Sequence, residues 1–203
     1  MALFFIMNFL AHIYLSENLD QLCIGNFIAD SVKGKNVSQF PQEIQKGILL
    51  HREIDTYTDN HPIHKQSRRR LDKKYGHYKG VIIDIFYDHF LVENWSKYHE
   101  TPLETFSKNF YDLMQNNTNI LPEKVNYMLV YMIPQNWLYN YQFQEGLQRV
   151  MDGMNRRTKG KSKMNESLED LHLHYSEFES DFFDFFENLI NFSREKRTKL
   201  YHE

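Results

Sequence analysis

The sequence predicts an all-α fold, a compact helical bundle forming a single domain over residues 1–203. Three observations carry this. Only 8 Gly and 5 Pro occur in 203 residues, so long stretches run without a helix breaker. Apolar residues recur at spacings of three and four, the period of one helix face. No alternating strand pattern extends beyond a few residues. With 41% hydrophobic and 25% charged residues, the composition is that of a soluble globular protein, and the 16 Phe and 13 Tyr call for a core built of large rings.

The apolar start, Met1 to Ile6, has no basic leader or small-residue cleavage site, and reads as a short N-terminal extension with Met7 as a second possible start. His12 and Glu17 arrive too early for a membrane span of about 20 residues. From Ile44 through Ile48 to Ile54 the spacing predicts a helix with Pro41 near its start. Pro62 opens the next helix, and Gly76 and Gly80 bracket a break. One long helix is expected from Val81 to Tyr98. Thr101-Pro102-Leu103-Glu104 reads as a capped helix opening, with Thr101 as the cap. That helix ends at Asn116 to Asn119, Leu121-Pro122-Glu123 starts another, and Pro134 kinks or ends it. Lys159 to Lys163 reads as a mobile loop. Tyr175, Phe178, Phe182, Phe185, Leu189 and Phe192, spaced 3, 4, 3, 4 and 3, form the core face of a last helix. The total expected is seven to nine helices.

The lone Cys23 excludes an internal disulfide and a cysteine zinc site, and fits a reducing, cytoplasmic setting. The net charge of −3 does not favour nucleic acid. Cations nevertheless cluster at Arg68, Arg69, Arg70, Lys73 and Lys74, and again at Arg156, Arg157, Lys159, Lys161 and Lys163. These are either solvated surfaces or contacts for an anionic partner.

Four groups place acids or histidines among apolar residues. His12 follows Phe9-Leu10-Ala11, and is either a packed core histidine or a ligand. Asp30 follows Phe27-Ile28-Ala29, where a carboxylate needs a cap, an ion pair or a metal. His51, Asp55 and Asp59 stand at i, i+4 and i+8, one helix stripe with about 6 Å per step. That stripe is either a solvent-facing acidic face or a ligand set for manganese, iron, magnesium or zinc. Asp84 and Asp88, with His89 adjacent, lie in a strongly apolar helix, where two acids and a histidine are costly without a cation.

Read in order, Asn8-Phe9-Leu10-Ala11-His12, Gly25-Asn26-Phe27-Ile28-Ala29-Asp30, His51-Arg52-Glu53-Ile54-Asp55 with Thr58-Asp59, and Asp84 with Asp88-His89-Phe90-Leu91 resemble the acyl carrier protein phosphodiesterase family. Gln135 to Tyr139 and Asp152 to Arg157 extend the likeness. The resemblance implies an HD-like, metal-dependent phosphohydrolase that converts holo acyl carrier protein to the apo protein and 4'-phosphopantetheine, with Mn2+ as the metal and Mg2+, Fe2+ or Zn2+ as alternatives. It implies Asp30 as the residue most tied to activity. On this reading His51, Asp55, Asp88 and His89 are expected as ligands, with His12 and Asp84 as further ligands or supports. Asp59 and Asn26 are expected behind them, with Asp59 holding a histidine tautomer. Arg68, Arg69 and Arg70 would dock the acidic carrier protein, and Arg156 and Arg157 would grip phosphate. The sequence departs from the HD pattern in lacking a contiguous His-Asp pair; its adjacent pair is reversed, Asp88-His89. Two other readings stand beside this one: an HD-type hydrolase of nucleotides or small phosphoesters, and a non-catalytic helical adaptor for an acidic partner.

Overall fold

The computed structural model describes residues 9–17 and 19–202; Asn8 and the expected extension at Met1 to Ile6 lie outside them. Among the described residues there are twelve α-helices and no strand. In chain order they are α1 (Phe9–Tyr14), α2 (Asp20–Ile28), α3 (Gln42–Asn60), α4 (Pro62–Arg70), α5 (Lys79–Glu93), α6 (Trp95–Tyr98), α7 (Leu103–Asn116), α8 (Glu123–Met132), α9 (Trp137–Asn140), α10 (Gln144–Arg157), α11 (Ser167–Leu173) and α12 (Tyr175–His202). The count exceeds the expected seven to nine because short turns such as α6 and α9 stand as separate helices. No helix among the described residues is long and apolar enough to cross a membrane.

The breaks have local causes. Pro62 occupies the first turn of α4, where its missing N–H costs nothing, and His61 Nδ1 accepts from the Ile63 N–H as the cap. The helix expected over Val81 to Tyr98 is interrupted at Asn94, whose φ of −110° and ψ of 17° leave the helical region. Its side chain donates to the Phe90 carbonyl and satisfies that helix end. Thr101 is not the cap of α7; Pro102 holds that position without a side-chain hydrogen bond. The 158–163 turn is pinned rather than loose: buried Ser162 bonds Thr158 and Asn155. At the C-terminal end Phe178, Phe182, Phe185 and Leu189 of α12 are buried, as their spacing requires.

The packing of α2 against α3 sets the site. These two helices approach backbone to backbone at Gly25 and Gly47. A methyl group on Gly25 would lie 2.1 Å from the Ile44 carbonyl oxygen, and one on Gly47 would lie 2.1 Å from that of Leu22. No side chain larger than hydrogen fits this crossing. Gly47→Ala is therefore expected to destabilise the fold by ~1–3 kcal/mol or more, read as a lower urea midpoint. An unchanged midpoint would mean that the crossing is not tight.

Candidate metal centre

The close crossing brings Asn26 of α2 between two imidazoles, His12 of α1 and His51 of α3. The Asn26 amide donates through Nδ2 to the His12 carbonyl at 2.8 Å and to Ser16 Oγ at 2.9 Å. A carbonyl can only accept, so the amide orientation is fixed. Its Oδ1 then faces both rings, 2.7 Å from His12 Nδ1 and 3.2 Å from His51 Nδ1. Both Nδ1 atoms must carry hydrogen to donate to that oxygen, so each neutral ring turns its Nε2 lone pair the other way.

Those two Nε2 atoms converge on Asp55, one turn after His51 on α3. His12 Nε2 is 3.2 Å from one carboxylate oxygen of Asp55, and His51 Nε2 is 3.2 Å from the other. Asp30, in the 3-10 turn that follows α2, adds an oxygen 3.4 Å from His51 Nε2. The rings stack, with centroids 4.0 Å apart and 22° between planes. His12 is 2% exposed and His51 5% exposed, yet neither Nε2 has an aligned hydrogen-bond partner. One donor atom from each of His12, His51 and Asp55 lies within 4.8 Å of the others. Two buried, unpartnered imidazole nitrogens and a partly exposed carboxylate on one point form a donor set that fits a divalent cation. Asn26 acts as the support that fixes both tautomers.

Without a cation the cluster must balance its charge with protons. Burial works against a charged His51, but the carboxylates of Asp30 and Asp55 beside its Nε2 outweigh it and raise its pKa to about 10. For Asp55, burial is overcome by the two imidazoles, which hold it well below the usual carboxylate range. Two stacked imidazolium rings would repel each other, so a single proton is the natural substitute for a cation.

The other expected ligands lie elsewhere. Both carboxylate oxygens of Asp88 are occupied by the first N–H groups of α1, from Leu10 at 3.0 Å and Ala11 at 2.9 Å. Asp88 thus anchors the helix that carries His12, and burial pushes its pKa well above the carboxylate range. His89 points away, with Nδ1 donating to the Tyr141 carbonyl at 2.8 Å and Nε2 facing the Tyr175 hydroxyl. Asp84 pairs with His64 Nε2 at 3.1 Å, and burial raises its pKa against that partner. Asp59 does not hold a histidine; it is exposed and accepts from Arg68 at 3.2 Å, the tautomer-fixing role falling to Asn26. Arg70 is tied to Asp181, which also accepts from Ser67, so it serves the packing of α4 on α12. Arg69 remains on the surface of α4. His64 and Ser16 were not singled out by sequence, because neither sits in a pattern that marks it.

Arg156 and Arg157 line a groove of about 1300 Å3 that also reaches Arg68, Asp59 and Asp84. Asp59 is one turn beyond Asp55 on α3, and the charges of Asp55 and Asp59 both act on Asp84. None of His12, Asp30, His51 or Asp55 lines the groove; its approach to the cluster is through Asp59, four residues beyond Asp55 on α3.

The raised pKa of His51 gives a pH prediction. In the metal-free protein its proton contributes stability below the ordinary histidine value, and this is lost as pH rises through about 10. A cation must displace that proton. Affinity for Mn2+ or Zn2+ should rise with pH, by up to about tenfold per unit between roughly pH 6 and 9, measured by calorimetric titration. A pH-independent affinity would place the cation elsewhere.

The family described as "Acyl carrier protein phosphodiesterase" matches residues 7–189. The curated protein of that name from Photorhabdus laumondii is 32% identical over 191 residues, covering 94% of this chain and 96% of its own. Those from Pectobacterium atrosepticum and Klebsiella pneumoniae are 30% and 32% identical, each over at least 93% of this chain. No solved structure matches. Matched over most of its length, the chain belongs to the acyl carrier protein phosphodiesterase family.

Proposed function

We propose that this chain hydrolyses the phosphodiester joining a serine of holo acyl carrier protein to its prosthetic arm, giving the apo protein and 4'-phosphopantetheine. The observation that carries the reading is the pair of buried, unpartnered Nε2 atoms aimed at Asp55, with Asp30 alongside. Family membership makes the chain a phosphodiesterase and supplies the substrate class. His12, His51 and Asp55 hold the cation, with Mn2+ the first expectation and Mg2+, Fe2+ or Zn2+ compatible with a mixed nitrogen and oxygen set. When bound, a divalent ion supplies Lewis acidity toward phosphoryl oxygen and lowers the pKa of water.

The chain's own residues do the rest. Asn26 keeps both Nδ1 atoms protonated and both Nε2 lone pairs directed inward. Asp30 stands at the edge of the cluster, 3.4 Å from His51 Nε2, as the carboxylate that accepts the proton of the attacking water. The serine oxygen is a poor leaving group and needs a proton. That proton is drawn from solvent on the carrier-protein side of the phosphorus. Asp88 acts at one remove, by seating the first turn of α1.

The test is release of phosphopantetheine from holo carrier protein, followed by mass shift with manganese present. Asp30→Ala and Asp55→Ala should each lower kcat/KM by about 100-fold or more, whereas Asp59→Ala should stay within roughly threefold. Chelator should abolish turnover in the wild type. Near-normal turnover in both Asp30→Ala and Asp55→Ala would refute the assignment.

A further inference from the structure

The groove contains two glycines that the fold does not explain. Gly80 lies in the first turn of α5 and Gly153 in the middle of α10. A helical glycine costs about 1 kcal/mol relative to alanine, so it usually has a packing or backbone reason. Gly25, Gly47 and Gly146 have one: an added methyl would strike backbone atoms. Gly34, Gly76 and Gly160 have another, a positive φ. Gly80 and Gly153 have neither. An added methyl on Gly80 would come no closer than 3.8 Å to Arg68, and one on Gly153 no closer than 3.9 Å to Arg156, in each case the far end of a flexible side chain. Both line the same groove. In front of them lie only the arginine side chains, and the groove they line extends to Asp84 and to Asp59, one turn beyond Asp55 on α3.

The walls suggest what fills it. Val81, Met128, Trp137 and Val150 give apolar surface, and Gln135 and Asn140 give side-chain amides. An extended chain of short apolar segments joined by amide linkages and carrying a phosphate at one end suits such walls, with the cations of Arg68, Arg149 and Arg156 also lining them. A scissile phosphodiester at the metal centre has a globular protein on one side and a thin arm on the other, and only the arm fits a groove. We propose that this groove is the channel for the pantetheine arm, held open by Gly80 and Gly153. This rests on the proposed carrier-protein reading and adds the path by which the substrate leaves the centre.

The experiment fills the groove without touching the metal centre. Gly153→Phe and Gly80→Phe are compared with wild type and with Gly153→Ala as a control for folding. Three readouts are taken on the metal-loaded protein: KM for holo carrier protein, hydrolysis of bis(p-nitrophenyl) phosphate, and calorimetric titration with free 4'-phosphopantetheine. The phenylalanine variants should raise KM and weaken phosphopantetheine binding by about tenfold or more, with cleavage of the small diester within roughly twofold of wild type. Normal KM and normal phosphopantetheine binding in both variants would overturn the channel and leave the phosphodiesterase reading intact. If the wild type does not cleave holo carrier protein, that reading fails, and the titration decides the groove alone. Binding that Gly153→Phe abolishes keeps it as a pantetheine site, and absence of binding to the wild type removes it.

Discussion

The backbone contact between α2 and α3 at Gly25 and Gly47 is the constraint from which the rest of the site follows. Helix axes packed through ordinary side chains stand about 8–10 Å apart. With hydrogen as the only side chain on both sides of the crossing, the residue after Gly25 is brought close enough for its amide to reach across to α3. That residue is Asn26, and one turn past Gly47 on the facing helix is His51. A single amide oxygen then serves two imidazoles, one from α1 and one from α3. Three helices are locked into one polar unit with every group of Asn26 satisfied, the condition under which a buried polar network specifies structure rather than weakening it. Asp88 completes the arrangement from α5 by fixing the start of α1.

This geometry separates the two ends of each histidine. The Nδ1 side is spent on Asn26, inside the protein, and the Nε2 side is left for chemistry. The carboxylates of Asp55 and Asp30 lie on the Nε2 side and are partly exposed, so the cluster can be reached from solvent on that side. The charge balance is complementary. Two carboxylates and two neutral imidazoles leave a net negative pocket that a divalent ion neutralises, and a proton on His51 is the weaker substitute.

Much of this was legible in the sequence, and the exceptions are instructive. His51 and Asp55 share a helix at i, i+4, so their juxtaposition needs no tertiary information. His12 and Asp30 were marked by apolar neighbours. The same reasoning placed Asp88 and His89 at the centre, and there it failed. A buried carboxylate requires donors, and backbone N–H groups at a helix start meet that need as well as a metal does, which sequence cannot distinguish. Arg70 failed in a similar way, since a basic run does not show that one member is claimed by Asp181 of α12. In the fold, the stripe on α12 and the proline-opened α4 were readable from local signals. The break at Asn94 was not, because Trp95 keeps the apolar pattern running through it.

Anomalous diffraction from crystals soaked in manganese, collected above and below the metal edge, measures the cation's position without reference to activity. The account predicts one strong peak per chain within bonding distance of His12 Nε2, His51 Nε2 and an Asp55 carboxylate oxygen, about 2.0–2.3 Å from each. A peak centred on Asp88 and His89, or no ordered peak at saturating manganese, would contradict it.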